Sequence, residues 1–105
     1  MEEIEFEYNS PTPGYCLVSN EVIQDGKDVK YMFREEPLEK GEDSGWRFFS
    51  GEEEQSYVDD DANIQLINID FVVNKDLSLL PYMKLPFPIE LERDSVDDPF
   101  LKIEE

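Results

Sequence analysis

The chain has 105 residues, 39% of them hydrophobic and 12% aromatic, with 27 acids against nine bases for a formal charge of −18. That length holds one core, and the aromatic content sets it apart from acidic disordered chains, which lack the apolar surface to offset chain entropy. The charge excludes nucleic acid and anionic membranes as ligands, since phosphate binding needs a basic footprint, and it points to a cationic protein surface as the partner.

Ile4, Phe6 and Tyr8 alternate with Glu3, Glu5 and Glu7, the period of a half-buried strand. Asn9 to Gly14 holds two prolines and a glycine and reads as a turn. The chain therefore divides into an acidic strand and turn over 1–14 and a single domain over 15–105. Tyr15 to Ser19 is a second strand, with scope to run on to Ile23. Asp25-Gly26 signals a hairpin, with Val29 to Arg34 as the antiparallel return and Pro37 as its stop.

Leu38 to Ser44 is polar and turn-rich, and Trp46 to Phe49 is a short aromatic strand expected to join that sheet, held between Gly45 and Gly51. Glu52–Glu54 and Asp59–Asp61 flank Tyr57 and Val58. Ile64 to Val73 carries two periods at once: Ile67, Ile69, Phe71 and Val73 alternate, while Ile64, Ile67 and Phe71 share a helical face. Asn68 and Asp76 are each placed to cap a short helix, the second stopped by Pro81. Ile89 to Arg93 alternates as a strand, and the tail through Phe100 and Ile103 reads as a last strand or a frayed end. The fold class is α+β, a mainly antiparallel sheet with one or two short helices.

Cys16 stands alone, so it forms no internal disulfide, suits a reducing compartment, and sits in an apolar run as a small buried hydrophobe. The start, Met1-Glu2-Glu3-Ile4, lacks the positive charge of an export signal, and no apolar run nears the ~20 residues that cross a bilayer. The expected location is the cytoplasm.

The absence of histidine removes Ser-His and Cys-His catalysis and the common zinc sites. Carboxylate pairs arise by chance among 27 acids, so they carry almost no information about hydrolysis. Asp59, Asp61, Asn63 and Asp70 match the spacing of an EF-hand loop, but Ile64 occupies the position that needs glycine, and Asp70 is shorter than the usual bidentate Glu. The reading is therefore a binding protein with no catalytic residue, cofactor or metal. The residues expected to meet its partner are Trp46 and Arg47, Arg34 and Glu35, and the acids Glu52, Glu53, Glu54, Asp59, Asp60 and Asp61. Trp46 reads first as core, and Arg34 with Glu35-Glu36 first as an internal ion pair at a strand end, with partner contact the second reading of each.

Three segments carry a resemblance: Val18-Ser19, Tyr31 to Pro37, and Asp43-Ser44-Gly45-Trp46-Arg47-Phe48-Phe49-Ser50-Gly51-Glu52-Glu53. They resemble a bacterial family catalogued as a domain of unknown function and as an immunity-protein domain of polymorphic toxin systems. The likeness runs from about Tyr15 to Asp94, with Lys30 standing where members often have glycine. It implies an intracellular protein that binds and neutralises a toxin domain, and an acidic antidote suits a basic toxin. The competing readings are a general interaction or regulatory module with no toxin partner, and a small carboxylate enzyme, which would need two inward carboxylates with perturbed pKa values.

Overall fold

The computed structural model describes residues 8–38 and 41–103. The strand expected at Ile4–Tyr8 lies outside those residues except for Tyr8, whose N–H donates to Asn74 Oδ1. Six strands, β1 (Tyr15–Ser19), β2 (Tyr31–Arg34), β3 (Asp43–Phe49), β4 (Ile64–Asn68), β5 (Ile89–Glu92) and β6 (Leu101–Lys102), form one sheet in the order β4-β1-β3-β2-β5-β6. The helices are α1 (Asn20–Ile23), α2 (Gln55–Val58) and α3 (Ile69–Lys75), with 3-10 turns at Asp61–Asn63 and Leu77–Tyr82. The fold is α+β, and every strand pair is antiparallel except β1 with β3.

That parallel pair corrects one expectation. The segment before Asp25-Gly26 does not form a hairpin with β2. The Ser19 hydroxyl accepts from Glu21 N–H and turns the chain into α1, so β1 stops there. Gly26, at φ 75°, closes the turn after that helix, and Val29 is buried in the connection rather than in a strand. With β1 and β2 separated, β3 fills the gap, pairing parallel to one and antiparallel to the other. Its membership of the sheet is as expected.

The ambiguous stretch from Ile64 to Val73 is both things in turn. Asn68 Oδ1 accepts from Asp70 N–H at 2.8 Å and switches β4 into α3. Ile69, Val72 and Val73 then form the buried i, i+3, i+4 stripe, leaving Phe71 outward at 45% exposure. Asp76 caps the next turn through Ser78 N–H.

Residues directly paired across strands share a face of the sheet. One face carries Ile67, Cys16, Val18, Phe48, Met32 and Leu91, with Trp46 beside Phe48, and joins Ile69, Val72, Val73, Leu79 and Met83 in the core cluster. Cys16 is fully buried there, and burial pushes its thiol up to about 12.

Candidate functional site

The opposite face carries Leu66 and Leu17, then Arg47, then Phe33, Phe49 and Tyr31, then Glu90 and Glu92. None of these eight belongs to the core cluster. This is the open face. Leu66 is 60% exposed on it, and Leu17, Phe33 and Tyr31 are half-buried.

At its centre the motif around Gly45 is explained by geometry. Between Tyr15–Leu17 of β1 and Asp43–Arg47 of β3 the register shifts, so β3 bulges. In a regular strand, residues four apart are roughly 13 Å apart. Here the bulge lets Arg47 fork onto Asp43, with Nη1–Oδ1 at 2.9 Å and Nη2–Oδ2 at 2.7 Å. Arg47 Nε adds a 2.7 Å bond to Glu35 Oε2. Gly45 has φ 85°, and a Cβ on it would meet the Glu35 carbonyl oxygen at 2.4 Å, so the bulge requires glycine.

Burial pushes the Asp43 carboxyl up, but the Arg47 fork and the N–H groups of Leu38 and Gly45 outweigh it and hold the group at about 2. Burial opposes the Arg47 charge too, and its bonds to Asp43 and Glu35 more than restore it.

Beside this ion pair sits a cluster of three rings. Phe33 and Phe49 lie 5.9 Å apart with planes 8° from parallel, and Tyr31 is 5.9 Å from Phe33 and 6.0 Å from Phe49. The Tyr31 hydroxyl donates to Glu90 at 2.8 Å; burial first, then that bond, raises it to about 12. The rings open into a cleft of about 550 Å³ at the end of the face where β3 and β5 finish. Glu52, Glu53, Glu92 and Asp94 are among its walls, and α2 borders it through Gln55 and Val58. Glu53 is tied down, its two oxygens accepting from Ser50 and Gly51 N–H. Burial raises its carboxyl, and hydrogen bonding led by the Ser50 N–H and the Ser19 side chain brings it below the usual range.

The residues singled out in the sequence divide in two. Trp46 is fully buried on the covered face, its indole N–H donating to Met83 C=O, so it is core and has no surface to give a partner. Arg47, 1% exposed, is likewise enclosed. Arg34 lies over the Trp46 and Phe87 rings and donates to Ser44 and Leu85 carbonyls, an internal clamp; its partners are carbonyls rather than Glu35 or Glu36. Glu35 reaches the open face beside Arg47 with its side chain 47% exposed. Glu52, Glu54, Asp59, Asp60 and Asp61 are exposed, the last three following Val58 directly.

Sequence reasoning passed over Tyr31, Phe33, Phe49, Leu66, Glu90, Glu92 and Asp94. The alternation of Tyr31 and Phe33 against Met32 was the available signal for the first two. Among the described residues no group of three or more His, Cys, Asp or Glu is arranged to hold a metal, and no helix is long and apolar enough to cross a membrane.

The architecture is thus a single sheet with its core on one side and an aromatic, acid-rimmed face on the other. A family model, the Immunity protein Imm33 domain, matches residues 16–104, and the chain belongs to that family. No curated protein and no solved structure matches the chain.

Proposed function

We propose that the protein neutralises a cognate toxin domain by binding it directly in the bacterial cytoplasm, without catalysis, and that the open face is where the toxin docks. Membership of an immunity-protein family is the observation that carries this reading. The open face supports it with apolar side chains at the surface, the kind of area that partners cover. The charge of −18 favours a basic partner, such as a nuclease whose own site must attract phosphate. Glu52, Glu54 and Asp59–Asp61 steer that partner from a distance, and the face then holds it.

Association kinetics with the toxin domain encoded beside the gene provide the test. Screening shortens the Debye length from roughly 30 Å at 0.01 M salt to about 10 Å at 0.1 M, so the on-rate should fall across that range. The triple variant Asp59→Asn, Asp60→Asn, Asp61→Asn should slow association and leave dissociation nearly unchanged. Asparagine at 60 keeps the side-chain oxygen that accepts from Ala62 N–H, so the local turn survives. A salt-indifferent on-rate, or an acidic partner, would remove the electrostatic part of this reading. No binding and no protection in co-expression would remove all of it.

A further inference from the structure

We infer that the cleft at the end of the open face receives an arginine side chain of the protein partner, an inference that rests on the binding role proposed above and names what that site takes. The protein already uses this chemistry twice on itself. Arg93 lies 4.2 Å from the Phe100 ring centroid while its guanidinium donates to Asp76 and to the Val29 carbonyl. Arg34 lies 5.9 Å from the Trp46 ring and 5.3 Å from that of Phe87, with two carbonyls as acceptors. Both cations sit on ring faces with oxygens at their edges, the arrangement that ring quadrupoles and the guanidinium fork favour.

The cleft supplies the same parts without the cation. Tyr31, Phe33 and Phe49 give the rings, and the exposed carboxylates of Glu92 and Asp94 stand along one side. Among the described residues, these two acids form no ion pair, whereas across the cleft Glu52 lies 3.6 Å from Lys27 and Glu53 is held by backbone N–H groups. Lys30 also lines the cleft, among the described residues in no ion pair and over no ring, and the carboxylates outnumber it. Arg93 borders the cleft too, but its charge is paired with Asp76.

A guanidinium is flat, weakly hydrated and always charged, so it can stack on the rings while reaching Glu92 or Asp94. A lysine ammonium is compact and strongly hydrated and gains less from that setting. Arginine is also among the residues that dominate interface energetics when desolvated in a pocket, which is what a basic partner would bring here.

The test uses three probes, N-acetyl-arginine amide, N-acetyl-lysine amide and the uncharged N-acetyl-citrulline amide, titrated into the intact protein and followed by NMR. The arginine probe should shift resonances of Tyr31, Phe33, Phe49 and Glu92, the lysine probe should shift them less, and citrulline should leave them in place. In the double variant Glu92→Gln, Asp94→Asn, both exposed positions, affinity for the arginine probe should fall about tenfold or more, the factor a charge-assisted hydrogen bond carries. Equal shifts from citrulline, or shifts centred on Asp59–Asp61, would overturn the inference. The two proposals also fail separately. Arginine bound in the cleft of a protein that ignores its neighbouring toxin would support this inference and remove the immunity role. A toxin bound tightly while the arginine probe leaves the cleft untouched would do the reverse.

Discussion

The strand β3 feeds two faces that solve opposite problems. On the covered side Trp46 and Phe48 stack at 6.2 Å and are fully buried against residues of α3 and the 3-10 turn that follows it. On the open side Arg47 and Phe49 are also buried, but by neighbours in the sheet or just past its strand ends: Asp43 and Glu35 for the arginine, Phe33 and Tyr31 for the ring. The covered face is stabilised by removing apolar surface from water. The open face instead spends a buried ion pair on holding β3 bulged. Such pairs add little net stability over an apolar core but are costly to break on one side. The difference teaches that a rigid face need not be a covered one, and a pre-shaped exposed surface lowers the ordering cost of binding.

Deleting a side chain from each face should separate these roles, beginning with the largest effect. Trp46→Ala removes the biggest core side chain and should cost about 3 to 5 kcal/mol of stability, read by urea unfolding. A small loss there would mean the two faces are less distinct than they look. Asp43→Asn leaves Arg47 enclosed with only Glu35 as a charged partner, and should cost about 3 kcal/mol, the low end for a broken buried pair.

The same position predicts a pH signature. The Asp43 carboxyl is held at about 2 in the folded protein against an ordinary 3.8, so its contribution is fully present above about pH 4. It is lost as the pH falls toward 2, and the shift corresponds to about 2 kcal/mol. Unfolding measured between pH 5 and 2 should therefore lose that component in Asp43→Asn, while Trp46→Ala keeps it. The smallest stability effect should come from Leu66→Ala. At 60% exposure it should change stability by less than about 0.5 kcal/mol, yet raise the Kd for the toxin roughly fivefold, about 1 kcal/mol of lost contact. Unchanged toxin affinity would shift the docking surface away from the β4 end of the face.

Local chemistry was enough to read much of this protein from its sequence. An apolar run marked Tyr15–Ser19 and aromatic content marked Trp46–Phe49, while alternation marked the strand at Ile89, because burial on one face imposes a period of two. Asn68 and Asp76 were legible as caps because their side-chain oxygens reach an N–H two residues on. The charge of −18 and the motif from Asp43 to Glu53 pointed to an acidic immunity-type protein before any contact was known.

What only the tertiary structure decided was long-range. Asp25-Gly26 has the composition of a hairpin turn, but a turn dipeptide is read over four residues, whereas β1 meets β3 across about thirty. Arg47 was expected to meet a partner, and the bulge at Gly45 instead folds it onto Asp43. Tyr31, Phe33 and Phe49 come from two strands and form a cluster only in the register that pairs Tyr31 with Phe49. Alternation tells which residues share a face within one strand. Which face is covered, and which is left open, depends on where α3 packs.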